Sequence, residues 1–283
     1  MISTEVIGSV KKFRLARSIL GRPVYHTAAY WVDGLMIDTG CSYTAKELVS
    51  ATENHDLDSI VNTHSHEDHI GANEILSEKR GARIFAHDSA LPALAAGKNQ
   101  KPLKPYQVVM WGYPEPSHAA PIPETFETNH YRFKVIHTPG HSPDHVCLYE
   151  PGEGWLFCGD AYIGGRDRAL RADYNIWQII ASLKKLSALD IRLLFTGSGS
   201  VRENARSLLL GKIDYLESTG EQSLELNRQG MGYDQIRRTL FGREALIAYV
   251  TLGHFSGRNL VRSFIEDCPS REKARMPRSD ERG

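Results

Sequence analysis

The chain has little cysteine and no excess charge. There are four cysteines in 283 residues (Cys41, Cys147, Cys158 and Cys268), none forming a CxxC pair and none beside a His or Lys. A disulfide scaffold is excluded by that scarcity, and a reducing, cytoplasmic setting is expected. Lys+Arg and Asp+Glu are both 34, so the formal net charge is zero. Bulk electrostatics therefore gives no reason to expect a nucleic-acid or membrane-surface partner. No apolar run approaches the roughly 18 residues a membrane helix requires. The first residues, Met1 to Val6, lack a basic stretch followed by an apolar one, so no secretory signal is expected. What remains is ordinary for a globular protein, with 41% hydrophobic and 24% charged residues, long enough for a sizeable core.

Against that plain background one stretch stands out: Thr63-His64-Ser65-His66-Glu67-Asp68-His69. Three imidazoles and two carboxylates fall within six positions, between the apolar run Ile60-Val61 and the segment Ile70 to Leu76. With only 12 histidines in the chain, this arrangement would arise by chance about once in a thousand such sequences. A strand, a tight turn and a helix are predicted, with the turn bearing the side chains. Neutral imidazole and carboxylate are ligands suited to zinc, iron or manganese.

The rest of the chain alternates in a way that predicts an α/β protein. Val24 to Val32 and Leu35 to Ile37 read as strands around the hairpin dipeptide Asp33-Gly34. Asp38 follows, at a strand's end, where it either caps the next helix (Tyr43 to His55) or orients a ligand histidine. Residues 56 to 87 read as strand, turn, helix, strand. Pro102 to Pro123, rich in proline and aromatics, is too long for an ordinary connection. It is either a functional lid or a surface insertion, the latter being the default. Tyr131 to His137 alternates like a strand and runs into Thr138-Pro139-Gly140-His141, a tight turn presenting His141. Strands are predicted at Val146 to Tyr149, Trp155 to Cys158 and Leu193 to Phe195, and a helix at Trp177 to Leu189. The second of these strands ends in Gly159-Asp160 and the third runs into Thr196-Gly197-Ser198-Gly199. Helices are expected at about 203–218, 221–229, 233–240, 243–250 and 256–266. The charged remainder reads as a disordered tail.

The order of these pieces resembles the metallo-β-lactamase superfamily across about residues 5 to 200. The matching pieces are Asp38-Thr39-Gly40, His64-Ser65-His66-Glu67-Asp68-His69, Thr138-Pro139-Gly140-His141 and Gly159-Asp160. The resemblance implies a four-layer αββα sandwich with the site at one edge of two sheets. It implies domains of 1–202 for the sandwich and 203–266 for an added helical region, with 267–283 as the tail. It also implies one or two divalent metal ions, zinc foremost, with iron or manganese as alternatives. The first metal would take His64, His66 and His141, the second Asp68 and His69, with Asp160 bridging. Such a pair holds a hydroxide that attacks a carbonyl or phosphoryl centre, and Asp68 would orient or deprotonate the water. One departure matters. The family usually has a further histidine where this chain has Ser198, so the second site is expected to be weak, open or empty.

His254 is a candidate replacement ligand, although lone histidines are more often structural, and the same holds for His137 and His145. Asp144 either bonds a ligand histidine or shapes its turn. Tyr162, Arg166, Arg168, Arg171 and Tyr174 follow Asp160, and the arginines either clamp an anionic substrate group or form a solvated loop with Asp167 and Asp173. The expected function is hydrolysis of an ester, thioester or lactone of a small molecule, as in glyoxalase II-like and lactonase members. The alternatives are an iron-dependent oxidoreductase similar to persulfide dioxygenases and a non-catalytic member. The helical region either shapes the pocket or forms a homodimer face.

Overall fold

In the computed structural model, residues 1–99 and 102–269 are described. Two mixed sheets face each other. The first runs in the order Ile2–Ile7, Val10–Leu15, Thr27–Val32, Leu35–Ile37, Ser59–Val61, Arg83–Ala86, Ala119–Pro121. The second runs Thr125–Glu127, Arg132–His137, Val146–Glu150, Trp155–Phe157, Leu193–Phe195, Val201–Arg202. Pairing switches from antiparallel to parallel at Leu35–Ile37 with Ser59–Val61, and again at Trp155–Phe157 with Leu193–Phe195. Parallel partners need a crossover, which supplies the helices.

Tyr30, Val32, Ile37 and Val61 of the first sheet interdigitate with Phe133, Leu148, Phe157 and Phe195 of the second in one buried cluster. On the outer face of the first sheet lie Leu48, Leu76 and Leu94 from its helices. On the outer face of the second lie Ile180, Leu183, Leu209, Leu216 and Phe264. The layering is therefore helix, sheet, sheet, helix, as expected. The hairpin at Asp33-Gly34 is present, with φ of 50° and 78° at its two central residues. Positive φ at both positions gives the turn whose twist matches its flanking strands.

Three expectations change. The helix placed at Tyr43 to His55 is a short 3-10 turn, Ser42–Thr44, followed by Ala45–Ala51. The first two C-terminal helices are one 24-residue helix, Ala205–Arg228, continuous through Thr219-Gly220. Gly220 does not break it, because a side chain there would sit 2.9 Å from Phe264 and 3.2 Å from Trp177; the glycine permits close packing against neighbouring helices. The third change is in the proline-rich stretch. It folds into a helix, Pro105–Met110, and an edge strand, Ala119–Pro121. The tail beyond residue 269 lies outside the described residues. Helices Tyr233–Phe241, Leu246–Val250 and Gly257–Glu266 follow the expected pattern closely. Among the described residues, no helix is long and apolar enough to cross a membrane.

Candidate metal centre

Every strand named in the expected site delivers its residue at a C-terminal end, and the two sheets bring these ends together. Asp38 follows Leu35–Ile37. His64, His66 and His69 follow Ser59–Val61. His141, Asp160 and Gly197 follow three strands of the second sheet. Backbone bonds stitch the loops: Val146 N–H to Thr63 C=O at 2.7 Å, Gly197 N–H to Gly159 C=O at 2.7 Å, and Ala28 N–H to Gly197 C=O at 2.7 Å.

Two sets of donor atoms converge, each within 4.8 Å: His64, His66 and His141, and His64, His69 and Asp160. His64 belongs to both. Asp68 lies beside the second set, its Oδ2 3.7 Å from His69 Nε2, and Asp160 Oδ1 is at the same distance. His66 Nδ1 stands 3.0 Å from His141 Nε2, which is also 3.5 Å from Asp160 Oδ2.

The hydrogen bonds behind these rings decide which nitrogen faces inward. Asp38 accepts from the Thr63 N–H at 2.7 Å and from the Thr63 hydroxyl at 2.8 Å. Its Oδ2 also stands 2.7 Å from His69 Nδ1. A carboxylate only accepts, so His69 carries its proton on Nδ1 and turns Nε2 to the cluster. Because the Thr63 hydroxyl gives its hydrogen to Asp38, it accepts from His64 Nδ1 at 3.0 Å. His64 Nε2 is then a lone pair, and it is buried without any hydrogen-bond partner. An orphaned buried nitrogen of this kind is costly unless something binds it. It sits in both donor sets, so the residues present fit a metal ion. Asp38 thus orients the His69 ring and does not cap a helix: its carboxylate is taken up by Thr63 and His69, and the 3-10 turn after it starts at Cys41 with no side-chain cap.

Burial and the neighbouring carboxylates set the charge on these groups. Burial holds His64 and His66 well below the usual imidazole range and His141 at about 3, so all three are neutral, the form that ligates. Burial pushes the Asp68 carboxyl up to about 7. Burial also opposes a charge on Asp160, but the neighbouring His69 and His141 outweigh it and hold that carboxyl well below its ordinary value. At His69, burial opposes a proton while Asp38, Asp68 and Asp160 outweigh it and raise the ring well above its ordinary value. A ring so raised carries a proton on Nε2 as well as on Nδ1, and a cation entering the second donor set would displace the Nε2 proton.

Other candidates are placed as follows. His145 is buried at about 4, chiefly by desolvation. It donates from Nδ1 to Thr138 Oγ1 at 2.8 Å and accepts the Asp160 N–H at 3.1 Å on Nε2. It positions Asp160 rather than joining the donor sets. Asp144 accepts the Ser65 N–H at 2.8 Å and so shapes the motif turn. His137 is exposed and stacks on His87, ring centroids 4.4 Å apart. His254 bonds the Tyr106 hydroxyl at 2.8 Å, on the pocket rim and outside both donor sets.

Ser198 lies in the loop that passes the centre, its hydroxyl 3.1 Å from Thr196 Oγ1. The residue in contact with the cluster is Gly197, whose Cβ, if present, would meet Asp160 Oδ1 at 2.2 Å and His69 Cε1 at 3.0 Å. The three arginines do not act together. Arg166 and Arg168 line a separate cleft with Asp214, Tyr215 and Phe241. Arg171 alone reaches the site, and it makes two bonds to Asp173, at 2.7 and 2.9 Å. Tyr162 is buried in the core with Lys212 over its ring. Tyr174 packs on the centre, its hydroxyl 3.2 Å from His141 Nε2. Cys41, Cys147, Cys158 and Cys268 are all buried, and burial pushes Cys147 up to about 12, so it is no nucleophile.

Sequence reasoning missed the walls. The Pro105–Met110 helix covers the site: Gln107 donates to Glu67 Oε1 at 2.7 Å, tying it to the motif turn. Tyr25, Tyr106, Met110 and Trp111 line the pocket over the cluster, as do Ile247, Val250 and Phe255 from the C-terminal region. The surface-insertion default for residues 102–123 is thereby corrected. The signal available was the pair Tyr106 and Trp111, aromatics of that stretch that face the pocket.

Residues 22–198 match the family described as the metallo-beta-lactamase superfamily. The chain belongs to that superfamily. It is 28% identical over 166 residues to a hydroxyacylglutathione hydrolase of Pelagibacter ubique, covering 57% of this chain and 61% of that one. It is 26% identical over 213 residues to an atrochrysone carboxyl ACP thioesterase of Aspergillus fumigatus, covering 73% of this chain and 41% of that one. A metallo-beta-lactamase family protein from Thermus thermophilus has the same fold, with a TM-score of 0.67 at 19% identity over 95% of both chains. The match spans about 60% of the length of curated relatives such as the Pelagibacter and Drosophila melanogaster proteins.

Proposed function

We propose that this chain is a metal-dependent hydrolase of thioesters. The carrying observation is the pair of donor sets meeting at the orphaned His64 Nε2, with His66, His141 and Asp160 of those sets facing a pocket. Relatives named as a hydroxyacylglutathione hydrolase and an acyl-carrier-protein thioesterase support the choice of thioester over lactone or other ester.

Water adds to the carbonyl carbon, the carbon–sulfur bond breaks, and the thiol leaves with a proton from the water. The products are a carboxylic acid and a thiol. His64, His66 and His141 would hold one divalent cation, with His69 and Asp160 as donors for a second, and a cation so held would supply Lewis-acid polarisation and a nucleophile at neutral pH. The chain's own residues do the rest. Asp38, Thr63 and His145 fix the donors in register. Asp68, facing the pocket, orients the attacking water. Tyr174 and the Pro105–Met110 helix keep bulk water off the reacting carbonyl.

The test is thiol release from an acyl thioester by protein reconstituted with zinc, manganese or iron, with metal counted per chain. Metal-dependent thiol release, abolished by a chelator and in His64→Ala, is expected. No release under any metal would refute the reading. One iron per chain with oxygen uptake on a persulfide would replace it with the oxidoreductase alternative.

A further inference from the structure

The metal centre opens into two unlike spaces. One is an apolar cavity of about 200 Å³ whose walls include Met110, Trp111, Ile163, Ile247, Val250 and Phe255. Its floor is His66, Asp68, His141 and Asp160. The other is a more polar cleft of about 350 Å³ in which Lys104, Asp144, Asp173 and His254 stand beside Pro102, Leu103 and Pro143. His66, Glu67, His141 and Arg171 border both. A molecule held with its scissile bond over the donors must therefore send one side into hydrocarbon and the other among charges.

Three of the apolar walls, Ile163, Ile247 and Val250, are exposed side chains rather than core. Ile247 and Val250 stand in a five-residue helix and are 41% and 55% exposed. Ile163 is 50% exposed on a different loop. Exposed apolar side chains converging from separate parts of the chain on one cavity are what a ligand's hydrocarbon would cover. The two sides are clasped across the rim by Tyr106 and His254, so the Pro105–Met110 helix and the C-terminal region hold the cavity's shape jointly.

We propose that this cavity takes the acyl group of the substrate, and that the group is a hydrocarbon chain or ring of medium size. The thiol-bearing part lies in the polar cleft. At roughly 30 Å³ per water-sized group, the cavity holds about six or seven such groups. That capacity corresponds to an acyl group larger than acetyl and smaller than a long fatty chain. The assignment rests on the thioesterase reading, but its binding side is testable without turnover.

The experiment uses metal-loaded full-length protein and straight-chain carboxylates from acetate to dodecanoate, measured by titration calorimetry, alongside thiol release from the matching acyl thioesters. Affinity is expected to rise about fourfold per added methylene and to level off once about six or seven are buried. Ile247→Asp and Val250→Asp, at exposed positions, are expected to lower octanoate affinity about tenfold each and to flatten the dependence on chain length. A fold check by circular dichroism accompanies them. Affinity independent of length, or a length dependence unaltered in both variants, would overturn the assignment. Thioester turnover without any chain-length preference would leave the hydrolase standing and remove the acyl cavity. A rising carboxylate series with no thioester turnover would keep the cavity as an apolar-carboxylate site and remove the hydrolase.

Discussion

Asp38→Asn perturbs the metal centre without touching a ligand. Asp38 is buried and receives hydrogen from the Thr63 amide, the Thr63 hydroxyl and His69 Nδ1, all within 2.8 Å. Its backbone sits at φ 58°, a left-handed value that Asn also tolerates, so the substitution adds no new backbone strain. Asn keeps one acceptor, enough for the Thr63 amide. Its NH₂ then faces two groups that now donate. The Thr63 hydroxyl can rotate, but doing so removes the acceptor that fixes His64 Nδ1–H. His69 can meet the NH₂ only by moving its proton to Nε2, the atom that faces the cluster, and a protonated Nε2 cannot ligate.

Both ligand rings are therefore disturbed through one atom. Losing an outer partner of this kind costs 10–100-fold in metal affinity. Folding of the metal-free protein should lose about 2 kcal/mol: charged-acceptor bonds contribute about 1.5–3 kcal/mol each, and relief of a buried charge offsets part of that. Competition against a chromophoric chelator reads the affinity, and urea unfolding in excess chelator reads the stability. Asp38→Asn binding metal within twofold of the unaltered protein would show that the Thr63 and His69 tautomers are not set by Asp38, and would refute the reasoning.

Gly197→Ala places a methyl 2.2 Å from Asp160 Oδ1 and 3.1 Å from the Gly159 carbonyl carbon, so Asp160 must move. A stability loss of about 1–3 kcal/mol in thermal melts is expected, with reduced metal count by elemental mass spectrometry; a full metal complement would argue against Asp160 as a ligand. Ser198→His is expected to raise the metal count per chain under limiting metal, and unchanged stoichiometry would show that this loop position does not reach the centre. Lys212 is buried, with Nζ 2.7 Å from the Gly164 carbonyl and 2.9 Å from Asp167 Oδ2. Lys212→Met keeps the stem but leaves those acceptors unpaired, so urea unfolding should show a loss of about 1.5–3 kcal/mol; no loss would mean that water replaces the ammonium without cost.

The side chains that converge at the site were legible because they are local. His64, His66, Asp68 and His69 share one turn, and the turn's position after an apolar strand set their common direction. His141 and Asp160 were legible for the same reason, each ending a strand whose pattern is plain. What lay hidden depends on contacts distant in sequence. Whether Asp38 capped a helix or oriented a ring turned on its meeting with Thr63 and His69, 25 and 31 residues away. His145 looked like a lone histidine until the Asp160 amide arrived at its Nε2. The break placed near residue 220 failed because glycine's weak helix propensity was outweighed by the room Phe264 and Trp177 require. Arg166, Arg168 and Arg171 were adjacent in sequence and were separated by the fold, since the loop after Asp160 turns two of them toward the Ala205–Arg228 helix.

The same division separates reaction from substrate. The donors belong to the edge where the two sheets meet, which the superfamily shares, and they specify a chemistry that many substrates undergo. The cavity belongs to pieces outside that edge: the cover helix Pro105–Met110, the loop at Ile163 and the helix Leu246–Val250. None carries a motif, and each is apolar where a surface need not be. The Tyr106–His254 bond joins the first of these pieces to the C-terminal region, across 148 residues of sequence. A change at either residue would therefore act on which acyl group is accepted before it acts on whether a carbonyl is attacked. On the proposed reading, selectivity would be held in the clasp between the cover and the C-terminal helices, and catalysis in the loops beneath it.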